Sequence, residues 1–87
     1  MKLKRGMRFL HRNWLNSRLS LEEIKTAPPE QRQLLCQVTK IARCPTGGVV
    51  YYRPVYKHGD REELGSPMYF GVEDTEKYVL RIVSPQL

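Results

Sequence analysis

The chain has 87 residues, which is room for one small domain and not for two. A chain this short buries only roughly 60–65% of its unfolded surface, so its core is thin and a large enclosed substrate cavity is excluded. Hydrophobic residues at 40% and charged residues at 28% exclude a wholly disordered chain. The formal net charge of +6 is unevenly spread: residues 1–57 hold twelve Lys or Arg against three Glu, and residues 58–87 hold three against six acids. A basic first part joined to an acidic last part points to a polyanion or an acidic protein surface as partner.

The start, Met1-Lys2-Leu3-Lys4-Arg5, leads into no long apolar run, and no stretch approaches the ~18 apolar residues that a membrane span needs. A cytoplasmic setting without a membrane partner is expected, with Cys36 and Cys44 as reduced thiols. A bridge between them would require that they face each other across a hairpin.

The first predicted strand covers Gly6–His11, where Met7 and Phe9 point one way and Arg8 the other. Residues 15–33 change character and read as a helical or loop insertion. Ser20-Leu21-Glu22-Glu23 is a capping box, with Ser20 as N-cap and Glu23 at N3. The helix it opens must stop near Thr26 or Ala27, because Pro28 and Pro29 follow as a rigid step. Residues 34–43 fit two periods. Leu34, Leu35, Val38, Ile41 and Ala42 suit a helix face; Leu34, Cys36 and Val38 suit a strand face, with a bulge near Lys40 returning Ile41 to the core.

The next residues decide for a strand. Cys44-Pro45-Thr46-Gly47-Gly48 is a turn, and Val49–Tyr56 is the strongest strand of the chain, so the two runs form a hairpin. Pro54 cannot donate to a ladder and places that part of the strand at an edge or a bulge. Val49, Tyr51 and Val55 make an inner stripe, which leaves Tyr52 and Tyr56 exposed and turns Arg53 inward. Lys57–Pro67 reads as a polar loop and Met68–Val72 as a short strand. Asp74 caps one helical turn through Tyr78, and Val79–Val83 is the last strand. These elements predict a mostly β domain, a small SH3-like barrel of about five short strands spanning residues 1–87, with the insertion at 15–33.

Arg8-Phe9-Leu10-His11, Val38-Thr39-Lys40-Ile41-Ala42-Arg43 and Thr46-Gly47-Gly48-Val49-Val50-Tyr51-Tyr52-Arg53 together resemble a group of small bacterial and phage SH3-like domains. That group shares a strand with His, then V-x-x-I-A-R, T-G and V-V-Y-R. The likeness covers Gly6–His11 and Leu35–Tyr56, about a third of the chain, and the insertion departs from the pattern. It implies the fold and adds little about function, because one fold hosts many functions.

No catalytic constellation, cofactor motif or metal-ligand spacing stands out. His11 and His58 have no fixed pairing, and Cys36 and Cys44 lack the close spacing of a zinc site. An RNA-cleaving site built from His58, Arg53, Arg61 and Glu62 is the one enzyme reading the residues allow. Gly47-Gly48 lacks the surroundings of a phosphate-cradling loop.

The informative feature is the interleaving of cations with flat rings in Arg8, Arg12, Trp14, Arg43, Tyr52, Arg53, Tyr56 and Lys57. Cations neutralise phosphates while aromatic faces stack on unpaired bases. The expected function is non-catalytic binding of DNA or RNA, provided that the positive side chains gather on one exposed patch. The competing reading is a protein-interaction module, or a phage or plasmid accessory protein that binds a host factor. Tyr51, Tyr52, Tyr56, Tyr69 and Trp14 would then form a groove for an extended partner, and Glu73-Asp74-Thr75-Glu76 would dock a basic one.

Overall fold

The computed structural model describes residues 2–16 and 18–84; Ser17, within the predicted insertion, lies outside them. The elements are β1 (Arg8–Leu15), α1 (Leu21–Thr26), α2 (Pro29–Arg32), β2 (Gln33–Cys44), β3 (Gly47–His58), β4 (Arg61–Leu64), β5 (Met68–Gly71), a 3-10 turn (Val72–Asp74), α3 (Thr75–Tyr78) and β6 (Val79–Ser84). The protein is mostly β. Its strands form one antiparallel sheet in the order β4-β3-β2-β1-β6, and β5 also lies on β3.

β2 and β3 are the spine. Both have twelve residues, about 40 Å of extended chain, which accounts for the long dimension of the 45 × 25 × 24 Å molecule. Residues 33–44 pair with both β1 and β3, so strand rather than helix is their conformation. The register slips between Val38 and Lys40, and Ile41 returns to pack on the core as the sequence pattern requires. The turn is shorter than predicted, because Cys44 still pairs with Gly47 and only Pro45-Thr46 remain between the strands. Gly47 has φ +148°, and a Cβ on Gly48 would sit 2.7 Å from the Ala42 carbonyl oxygen, so this turn needs both glycines.

The second edge of β3 is shared. β5 pairs with Val49–Tyr52 and β4 with Val55–His58. Pro54 falls at the handover, where its missing N–H strands no partner, while its carbonyl accepts from the Gly65 N–H at 2.8 Å. The expected polar loop 57–67 is thus a second hairpin, turning at Gly59 (φ +63°) and Asp60. It raises the strand count from about five to six.

In the insertion, the Ser20–Glu23 capping box forms as read, and neither α1 nor α2 buries a residue. The Pro-Pro step is not merely rigid: Pro28 is the N-cap of α2 and Pro29 its first residue, a position where the absent N–H costs nothing. Asp74 makes no capping bond. The Thr75 hydroxyl instead donates back to the Val72 carbonyl at 2.6 Å, tying α3 to the 3-10 turn before it.

The sheet is not closed into a barrel. No ladder joins β5 to β6 among the described residues; the 3-10 turn and α3 bridge that gap instead. The core gathers Phe9, Cys36, Val38, Val50, Tyr52, Phe70 and Val79. Phe9 stands edge-on to Tyr52 at 5.3 Å and to Phe70 at 6.2 Å. Over the first half of β3 the face assignment is the reverse of that expected: Val50 and Tyr52 are inside, with Tyr52 only 3% exposed, while Tyr51 lies on the opposite face against Tyr69; Val55 is buried as expected. No described helix is long and apolar enough to cross a membrane.

Phe9 is fully buried and meets both other core rings. Phe9→Ala is expected to cost about 3–5 kcal/mol, a large part of the 5–15 kcal/mol available to a small domain. A urea titration followed by circular dichroism reads this as a sharp fall in the unfolding midpoint. A midpoint within error of the parent would contradict the packing described.

Candidate functional site

Between Leu10 and Leu15 the pairing of β1 with β2 jumps from Leu35 to Gln33. Four residues of β1, His11 to Trp14, therefore stand against the single residue Leu34. A bulge of this size frees backbone carbonyls that must find donors. The buried Gln33 amide supplies them: Nε2 donates to the His11 carbonyl at 2.8 Å and to the Arg12 carbonyl at 3.2 Å. On the far side Arg12 donates to the carbonyls of Glu76 at 3.0 Å and Val79 at 3.1 Å, covering exposed carbonyls at the end of α3. Asn13 Nδ2 donates to the Lys77 carbonyl at 3.2 Å.

This bulge aims two rings into the gap that the open sheet leaves. His11 is buried, and Trp14 stacks on it with centroids 4.5 Å apart and planes 9° apart. His11 Nδ1 accepts from the Asn13 N–H at 3.1 Å, and Nε2 lies 3.1 Å from Tyr52 Oη. Tyr78 meets His11 edge-on at 5.9 Å and stacks on Phe70 at 5.2 Å. The result is a cleft of about 310 Å³ lined by His11, Asn13, Trp14, Tyr52, Pro67, Met68, Tyr69 and Tyr78. It carries aromatic and apolar surface with a few polar atoms on its floor, the usual make-up of a ligand site. Trp14 is 43% exposed and Tyr69 72% exposed.

The predicted site residues fall in separate places. Trp14 and Tyr52 meet in this cleft, and Arg12 is pinned beside it. Tyr52 is not the exposed platform that was expected; it forms the floor. Arg8 makes a two-pronged ion pair with Glu62, at 2.6 and 3.0 Å, and bonds Gln37 at 2.9 Å. The same contact holds the Glu62 carboxyl below its usual range. Arg43 sits at the tip of the β2–β3 hairpin, whereas Lys57 lies near the other end of β3, about 30 Å away along the strand. Tyr56 lies under the Arg18 guanidinium at 5.9 Å, and Arg53 reaches the Gly65 carbonyl at 3.5 Å. The positive side chains do not form one patch. A carboxylate of the last third neutralises Arg8, and the others are spread along the sheet. Sequence reading missed Tyr78 and Met68 in the cleft and assigned Tyr69 only to the alternative groove. They converge with Trp14 through sheet pairing and leave no local spacing to detect.

Three of the four residues of the RNA-cleaving reading already have partners. His58 is exposed, with Glu63 at 3.5 Å and Arg18 against its ring nitrogens; Glu62 is held by Arg8 and Arg53 by Gly65. Cys36 and Cys44 lie on the same strand, roughly 26 Å apart, which is far beyond disulfide reach. Burial pushes the Cys36 thiol up to about 12, so it behaves as a small core residue. No protein family, curated protein or solved structure matches the chain.

Burial holds the His11 pKa below the ordinary 6.5, and a proton on Nδ1 would also break the bond from the Asn13 N–H. The unfolded chain therefore binds the His11 proton more readily than the folded one. The contribution of neutral His11 is present above about 6.5 and is lost as pH falls from there toward the lower folded value. The melting temperature is expected to fall between pH 7.5 and 5.5, and a His11→Gln variant is expected to fall less. Parallel pH profiles for parent and variant would count against this account.

Proposed function

We propose that the protein is a non-catalytic module of the small SH3-like kind that binds single-stranded nucleic acid by taking an unpaired base into the aromatic cleft. The observation that carries this reading is the cleft itself. Two exposed rings, Trp14 on β1 and Tyr69 on β5, border a space whose lining holds aromatic, apolar and uncharged polar groups. A base has two apolar faces and a polar edge, and stacking on an aromatic ring suits it regardless of sequence.

The cations support the reading from the borders. Arg12 lies next to the cleft, and Lys40 stands 5.7 Å over the Tyr51 ring, which in turn touches Tyr69. Neither has a carboxylate within ion-pair distance among the described residues. The net charge of +6 adds a long-range attraction for a polyanion. The reading differs from that expected of the sequence in one respect: a ring pocket replaces a continuous basic patch as the main contact. A second reading rests on Pro67, Met68 and Trp14 in the lining, which would equally receive a proline or aliphatic side chain of an extended peptide.

Trp14 is the only tryptophan of the chain, so its fluorescence reports occupancy of the cleft directly. Titration with an oligo(dT) strand of about a dozen nucleotides is expected to quench it saturably. Trp14→Ala, followed by fluorescence anisotropy of a labelled strand, is expected to lose about 1–3 kcal/mol of binding. Raising salt from about 50 to 200 mM is expected to weaken binding only modestly, because each phosphate contact adds roughly −0.7 to the logarithmic slope and few contacts are available. Absence of any quenching by oligonucleotides, with saturable quenching by a proline-containing peptide, would overturn the reading in favour of the second.

A further inference from the structure

The floor of the cleft has a fixed hydrogen-bonding polarity. The backbone N–H of Asn13 can only donate, and it points at His11 Nδ1 from 3.1 Å. Nδ1 must therefore hold a lone pair, which places the single proton of the neutral ring on Nε2. Nε2 faces Tyr52 Oη at 3.1 Å, and with the tautomer set in this way the imidazole donates and the phenol oxygen accepts. The hydroxyl proton of Tyr52 is consequently not spent on His11. Tyr52 is 97% buried in the sense that only 3% of its surface is exposed, it lines the cleft, and Oη has no second hydrogen-bond partner among the described residues.

We propose that the Tyr52 hydroxyl is a specificity-determining donor that selects a planar ring carrying an acceptor oxygen on its inward edge, and so prefers keto over amino pyrimidines. The proposal rests on the base-binding reading above. A pyrimidine entering ring-first is tethered through N1, which leaves its C4 edge the deepest part. Thymine and uracil present a carbonyl oxygen there and accept the Tyr52 proton. Cytosine presents an amino group, two donors facing a donor, and leaves the buried hydroxyl proton without an acceptor, the costly arrangement in a desolvated site. His11 acts here as a positioning residue: it never touches the ring in this account, but it fixes which way the Tyr52 hydroxyl can donate.

The test compares oligo(dT) with oligo(dC) of equal length on the intact chain, using Trp14 quenching and anisotropy. The expected result is about a tenfold preference for oligo(dT), lost in Tyr52→Phe while the dependence on Trp14 is kept. A circular dichroism melt establishes that Tyr52→Phe is folded. Should it not be, replacing thymidine by 4-thiothymidine in the strand makes the same change from the ligand side, since sulfur is the weaker acceptor, and several-fold weaker binding to the unaltered protein is expected. Equal binding of oligo(dT) and oligo(dC), both weakened by Trp14→Ala, would overturn the Tyr52 assignment and leave base binding standing. Failure of the parent protein to bind either strand would overturn both.

Discussion

One buried amide holds the bulge on which the rest of this structure depends. β1 spends four residues where β2 spends one, and such a mismatch would leave carbonyl oxygens buried without donors. Gln33 answers it from the first position of β2, its amide nitrogen reaching the His11 and Arg12 carbonyls. Because the bulge is satisfied internally, β1 can change direction after Leu10 without losing its place in the sheet. That change turns His11 inward and Trp14 outward, one stacked on the other.

The open seam follows from the same geometry. β6 pairs with β1 only as far as His11, and β5 stays with β3, so the two short strands end without meeting. A closed barrel would remove these edges. Here α3 fills part of the gap and Arg12 ties it down through the Glu76 and Val79 carbonyls. The rest of the gap is lined with aromatic rings. Tyr52 belongs to both sides of this arrangement, its ring packed on Phe9 and Phe70 while the residue also lines the cleft, its oxygen 3.1 Å from His11 Nε2. The most buried tyrosine of the site is for that reason also the best oriented.

How much of this the sequence discloses depends on whether the signal is local. The capping box at Ser20, the glycine turn at Gly47-Gly48 and the bulge at Lys40 are local, and each was legible. The phase of β3 was not. Val49, Tyr51 and Val55 are apolar on one parity, Val50, Tyr52 and Tyr56 on the other, and alternation alone cannot choose between two apolar faces. The choice is made by what lies across the sheet: Val38 pairs with Tyr52 beside Phe9, and Val55 is buried from the other side. The polar run 57–67 was misread because a four-residue strand of exposed Arg, Glu and Leu carries no apolar alternation. Arg8 and Glu62 are 54 positions apart, so no window along the chain could show that one cation was already answered. The cleft was half legible, since Trp14 stood out as a lone large ring, but its companions arrive from β3, β5 and α3.

The distribution of charge argues for what kind of binder such a fold can be. A single basic face would have bought affinity in proportion to phosphates covered, with little regard for the bases. This protein spreads its excess cations over the sheet, neutralises Arg8 with Glu62 and uses Arg12 to hold α3 in place. What remains is a diffuse positive field, which speeds encounter with a polyanion more than it holds one. In the proposed reading, retention falls to the cleft of Trp14, Tyr52, Tyr69 and Tyr78, where the concave surface is aromatic. The orientation derives from a backbone N–H that fixes a histidine tautomer, which in turn fixes a phenol. On the proposed reading, a binder organised in this way discriminates by the edge of the ring it admits rather than by the length of backbone it covers.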